Sequence, residues 1–266
     1  MTPNRLRAGA CAWLLTLQFF VVEAVAAARA PAGYSRAANT ISDLGTTTSP
    51  AHRLMNASFV LQAVLIVVGA VLLRHALRGR AARVAPVLLA LAAAGVLIVG
   101  IFPNDGYKTV HVTGAVLYLA GGGIGLIALA YAVRPRSELL GSTLALLGLV
   151  GTAMTVFFVA GVTQLLGVGG TERAAAYVLP IGLAVAGAAL WRMGDVPDVT
   201  GAGSDGPDPR EQRKLARDQE RARLAEQQRQ RDEALAGRTA GTTPNGEADD
   251  DIDGDDPWAT PGRRRD

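Results

Sequence analysis

The residues of this chain that could do chemistry are few, and they lie between long apolar runs. Asp43, His52, Asp105 and His111 offer carboxylate and imidazole groups, and Glu23 sits inside an apolar run. Such groups could bind a metal that activates water, or perform acid–base chemistry on a lipid headgroup. The spacing enforces neither. No His-x-x-x-His pair puts two ligands on one helical face, and the whole chain has three histidines. Metal and cofactor are therefore left open, and an enzyme is the less favoured class. Cys11 is the only cysteine, which excludes an intrachain disulfide and a cysteine-based metal site. The same residues also have structural uses: Asn39, Ser42 and Asp43 can cap a short helix, Pro103-Asn104-Asp105-Gly106 is good turn chemistry, and His111 can bond to a loop.

The elements that must position these groups follow from composition. Half of the 266 residues are hydrophobic (50%), 18% are charged, and mean hydropathy is +0.25. Residues 1–198 carry 14 Lys+Arg against 7 Asp+Glu, whereas the last 68 carry 12 against 16. Six runs reach the ~20 apolar residues that a helix needs to cross a bilayer. They are 8–28, 54–73, 84–102, 110–133, 139–162 and 174–193. Lipid offers no partner to backbone N–H and C=O groups, so these runs must be helices. The expectation is an all-α fold: a polytopic transmembrane bundle of six helices in residues 1–198, with a disordered, charged C-terminal tail over 199–266.

Basic residues set the orientation. Arg5, Arg7, Arg74, Arg78, Arg80, Arg83, Arg134 and Arg136 flank one end of the spans; Arg29, Arg36, Arg53, Lys108 and Arg173 flank the other. Eight against five predicts a multi-pass protein of the cell (plasma) membrane with both termini cytoplasmic. Scattered between apolar runs, these arginines form no nucleic-acid face, despite a pI near 9.3. A signal-peptide reading of the first run rests on Arg5, Arg7 and Ala28-Arg29-Ala30; Pro31 and Glu23 argue for retention as a span. In the tail, 209–235 is rich in helix formers, with pairs such as Glu220 and Arg223, but its Leu215, Leu224 and Leu235 make no heptad seam. Asp249-x-Asp251-x-Asp253-Gly254 copies half a calcium loop, yet position twelve is Thr260, so an acidic solvating run is the better reading. The tail could engage a cytoplasmic protein partner.

With the spans oriented, the unusual polar residues fall mostly on the outer side. Glu23 lies five residues from the end of its run, about 8 Å below the surface at 1.5 Å per residue. A carboxylate there needs a partner, such as His111 or an outer-loop arginine. The first outer connection holds Tyr34-Ser35, Asn39-x-Ile41-Ser42-Asp43-Leu44-Gly45 and Ser49-Pro50, leading to His52 and Met55-Asn56-x-x-Phe59. The second holds Phe102-Pro103-Asn104-Asp105, followed by His111-x-x-Gly114-Ala115; the third holds Gly169-Gly170-x-Glu172-Arg173. This set, over roughly residues 8–193, resembles the bacterial and archaeal six-span membrane family known as domain of unknown function 998. Similar proteins often have Asn where this chain has Gly123, and an aromatic where it has Thr171. The resemblance implies an architecture and supplies no activity.

The functional expectation is recognition of a small molecule, lipid headgroup or partner protein at the outer face. Its candidate residues are Glu23, Ser42, Asp43, His52, Asn56, Asp105, His111, Glu172 and Arg173. The alternatives are a membrane transporter, with Gln18, Glu23, Gln62 and Gln164 along a path, and a lipid-directed, metal-dependent hydrolase using the outer Asp and His residues. The glycines of 121–125 could weaken span four, but small residues more commonly let helices pack closely.

Overall fold

A computed structural model of the chain describes residues 2–194 and 209–240. In the first of these stretches six helical spans are long and apolar enough to cross a membrane: Pro3–Ala28, His52–Ala76, Ala81–Ile101, Lys108–Val133, Glu138–Val159 and Gly167–Gly194. Many of their large aliphatic side chains, among them Val64, Val67, Val71, Val87, Leu146 and Leu149, point outward. Outward-facing aliphatic surface of this extent suits a hydrocarbon solvent, and the protein is an integral membrane protein.

The first span is two helices, α1 (Pro3–Leu15) and α2 (Gln18–Ala28). Between them Thr16 and Leu17 bond back three residues, to Trp13 and Leu14, which tightens the turn. Span two is α3 (His52–Leu73) extended by a 3-10 turn, Arg74–Ala76, and spans three to five are the single helices α4 (Ala81–Ile101), α5 (Lys108–Val133) and α6 (Glu138–Val159). The sixth span is again two helices, α7 (Gly167–Ala176) and α8 (Val178–Gly194). Pro180 lacks the N–H that would reach the Ala176 carbonyl, and the Tyr118 hydroxyl donates to that carbonyl instead, at 3.2 Å. Thr16 Oγ1 in turn lies 3.2 Å from the Pro180 carbonyl, so the interruptions of spans one and six meet.

Each span packs on the next, and the sixth closes on the first through α1 and α8. Span one belongs to this core: Trp13 and Phe19 are buried, and the Trp13 indole, against Gly69, donates to the Ile66 carbonyl. Glycines allow the closest crossings. A Cβ on Gly95 would stand 2.5 Å from the Gly114 carbonyl oxygen and the Tyr118 nitrogen. Gly121 faces Ala92, and Gly123 faces Thr152, so the glycines of span four serve packing.

One expectation is corrected. Residues 169–173 read as a loop ahead of a span beginning at 174, but they are helical, within α7. Glycine beside charged side chains suggests a connection. These charges, however, are met by the first loop, and the helix gains its partners from there. Beyond residue 198 the described part is one helix, α9 (Pro209–Ala240), five residues longer than expected, with exposed side chains over 216–233. The expected disorder of 199–208 and 241–266 lies outside the described residues.

Candidate functional site at the first-loop face

The first loop (29–51) and the start of the sixth span form one unit. Ala37 O accepts the N–H groups of Gly169 and Gly170 at the start of α7, at 2.9 and 3.3 Å. Gly169 is bare because the Asn39 and Arg36 carbonyls press against it, where any Cβ would collide. Ile41 N–H donates a short hydrogen bond to Glu172 Oε2. Arg173 completes the docking by donating from one nitrogen to the carbonyls of Arg36 and Asn39, both at 2.7 Å, and of Gly169 at 3.0 Å. Loop carbonyls and amides that lipid could not solvate are thereby satisfied.

Glu23 receives the partner that its position demands. Arg173 Nε donates to Glu23 Oε1 at 2.9 Å, Arg36 stands 3.6 Å from the same oxygen, and the Tyr177 hydroxyl donates to Oε2 at 2.5 Å. The other Arg173 terminal nitrogen donates to Tyr34 Oη at 2.6 Å. Burial pushes the Tyr34 hydroxyl above its ordinary range against the pull of Arg173, with Glu23 adding to the rise. Tyr34 therefore keeps its proton, and because its oxygen is already an acceptor, that O–H remains to donate elsewhere.

A second buried group adjoins the first. Ser42 opens a single 3-10 turn, Ser42–Gly45, and its Oγ lies 2.9 Å from His111 Nε2 and 3.3 Å from Glu172 Oε1. His111 Nδ1 is 2.8 Å from the Phe102 carbonyl oxygen. A cavity of about 30 Å³, room for about one water, borders Ser42 and Glu172 and is otherwise walled by apolar side chains and Tyr118.

The remaining candidates hold loops. Asp43 Oδ2 accepts from Thr40 N at 2.7 Å while Thr40 Oγ1 accepts from Asp43 N at 3.2 Å, a reciprocal capping pair. Asp105 accepts from the Thr47 amide at 2.8 Å and the Thr47 hydroxyl at 2.5 Å. These two bonds, the hydroxyl first, hold the Asp105 carboxyl below its ordinary range. His52 Nδ1 lies 2.8 Å from Ser49 O, and Asn56 Nδ2 donates to Gly45 O at 2.9 Å. Asp43, Asp105 and His111 thus share no partner. Among the described residues no three His, Cys, Asp or Glu side chains converge as metal ligands.

Above this framework the loop encloses an open depression of about 510 Å³, whose polar walls are Tyr34, Asn39, Asp43, Thr46, Thr48 and Ser49. The Ser49 hydroxyl is buried without a hydrogen-bond partner. Deeper in the bundle, Gln18 joins Ser58 and Gln62: Ser58 Oγ donates to Gln18 Oε1 at 2.9 Å and Gln18 Nε2 to Gln62 Oε1 at 3.3 Å. Gln62 Nε2 is buried with no partner of good geometry. Glu23 lies apart from this trio in its own network, and Gln164 is exposed.

Tyr34, named in the sequence only within the family-like Tyr34-Ser35 motif, and Tyr177, not named there, join the site. Tyr177 follows Arg173 by four positions, the spacing at which helical side chains share a face, and that signal was available. Of the two departures from the family pattern, Gly123 packs on Thr152, and Thr171 Oγ1 donates to Gly167 O at 2.8 Å. Neither touches the buried networks.

The family described as "Protein of unknown function (DUF998)" matches residues 14–195. Neither curated proteins nor solved structures give a match.

Proposed function

The chain belongs to the DUF998 family, a membership that carries no activity, and from the geometry we propose an outer-face recognition protein. In this reading the first-loop depression binds a small polar molecule or a lipid headgroup. Both termini are cytoplasmic and the depression faces outward at the plasma membrane, as the basic flanks favour. The observation that carries the reading is the depression itself, a concave polar surface whose shape is fixed from below by Arg173 and Glu172. Its walls hold the Asp43 carboxylate and several hydroxyls and no basic side chain among the described residues. That lining suits a donor-rich, neutral or cationic group such as an ammonium-bearing headgroup.

The test uses purified full-length protein with ethanolamine and glycerophosphoethanolamine as probes, followed by ligand-observed NMR. Saturable binding is expected. Asp43→Asn keeps an acceptor for the Thr40 amide but loses the charge. The variant should bind at least about tenfold more weakly, the worth of one charge-assisted hydrogen bond. Equal binding by the variant, or no saturation, contradicts the reading.

One observation favours transport as a second reading: the Gln18–Ser58–Gln62 trio inside the bundle, with a Gln62 amide nitrogen that has no partner of good geometry. Polar groups at membrane depth are costly, and lining a path for a polar solute is one use that offsets the cost. The metal-dependent hydrolase gains no comparable support.

A further inference from the structure

The hydrogens of the Ser42 group can be counted from its partners. The Phe102 carbonyl can only accept, so His111 Nδ1 carries a hydrogen. Ser42 has one hydroxyl hydrogen and faces two groups, His111 Nε2 at 2.9 Å and Glu172 Oε1 at 3.3 Å. It can donate to only one of them. For the other contact to be a hydrogen bond, the remaining group must bring a proton of its own. Two arrangements satisfy both contacts: a protonated Glu172 donating to Ser42, which donates to a neutral imidazole, or an imidazolium donating to Ser42, which donates to a carboxylate. Each contains one dissociable proton.

We propose that Glu172, Ser42 and His111 form a buried site that binds a single proton. All three side chains are at least nine-tenths removed from solvent, so an unmatched lone pair here has no water to turn to. The charged and titratable neighbours do not supply the proton. Asp43, on the same turn, has its carboxylate on the Thr40 amide; Arg173 donates to Glu23; Tyr118, across the cavity, donates to the Ala176 carbonyl. The charges of Asp43 and Arg173 act on the site in opposite senses. The adjoining cavity, with space for about one water, borders both Ser42 and Glu172.

Occupancy has a structural consequence. With the proton bound, Ser42 ties the first loop to α5 through His111 and to α7 through Glu172. Without it one tie pairs two acceptors and is lost, although the Ile41 amide still holds Glu172. The proton thereby lets the one Ser42 hydroxyl hold α5 and α7 at the same time. This inference does not depend on what the outer depression binds.

The experiment uses the full chain in nanodiscs near neutral pH. Nitrogen-15 NMR of the histidines, with His52→Gln and His75→Gln to isolate His111, reads the ring. Infrared spectroscopy reads the carboxylic-acid carbonyl, assigned by its loss in Glu172→Gln. The expected result is one proton: an acid band with Nε2 bare, or a doubly protonated ring with no acid band. A bare Nε2 without an acid band, or a doubly protonated ring with one, overturns the proposal. A second arm uses Ser42→Ala, in which Glu172→Gln should no longer shift the His111 resonances. An undiminished shift in that background also overturns it, because the coupling would not pass through Ser42.

Discussion

Arg173 Nε lies 2.9 Å from Glu23 Oε1, joining the sixth span to the first across 150 positions of sequence. Both side chains are almost completely buried, and the guanidinium is saturated by Tyr34 and by loop carbonyls. Removing Arg173 takes from the buried Glu23 its closest charge partner and leaves it only Arg36, at 3.6 Å, and the Tyr177 hydroxyl. Arg173→Ala should therefore cost about 3–5 kcal/mol of stability. The double variant Glu23→Leu, Arg173→Met should cost less than the sum of the two single changes, which a thermal-denaturation double-mutant cycle would measure. Additive losses would mean that the pair is not coupled.

Gly169 makes room for the Asn39 and Arg36 carbonyls. Gly169→Ala must push the loop away and should destabilise by about 1–3 kcal/mol, as overpacking does. Gly33, with φ of +91° and open space around its missing Cβ, touches nothing comparable. Limited proteolysis within residues 29–51 should accelerate in Gly169→Ala. An unchanged cleavage rate would contradict the docking.

Asp105 clamps Thr47, and the lowered carboxyl value fixes the sign of its pH dependence. A group that is more acidic when folded contributes above its unfolded value, and the contribution disappears as pH falls through the folded one. The clamp should contribute fully above about pH 4 and be lost only at more acidic pH, as the folded carboxyl takes up its proton. The Thr47 amide resonance should move in that acid range in the parent protein and stay constant in Asp105→Ala. A shift retained in Asp105→Ala would assign the titration to another group.

Gln62 brings a buried amide nitrogen with no partner of good geometry. Gln62→Leu removes that nitrogen while Gln18 retains Ser58, whose carbonyl is 3.3 Å away. Thermal stability should stay level or rise by up to about 1–2 kcal/mol, since an unsatisfied polar group is replaced by an apolar one. A clear loss of stability would show that Gln62 makes a bond essential to the fold.

The spans were legible because lipid tolerates only long apolar helices, and this requirement is written into composition. The need of Glu23 for a partner was legible for the same reason; Arg173, in α7, fills it, with the loop residue Arg36 beside it. The helical state of 169–173 was not, because Gly169 and Gly170 signal a turn until the loop carbonyls that require bare backbone are in view. The Ser42–His111 contact spans 69 positions and depends on the depth at which the loop sits against α5, which a single sequence does not encode locally. Asp43 and Asp105 also serve as a cap and a clamp, a use that sequence does not separate from ligand binding, since carboxylates that accept backbone amides have the same spelling as ligands.

An outward-facing recognition surface is tested most directly by impermeant maleimide labelling on intact cells. In a background where Cys11 is serine, Thr48→Cys in the depression should be modified from outside. Arg80→Cys at the opposite end should react only after the membrane is opened. Labelling of Arg80→Cys but not of Thr48→Cys on intact cells would turn the depression to the cytoplasm and contradict the account.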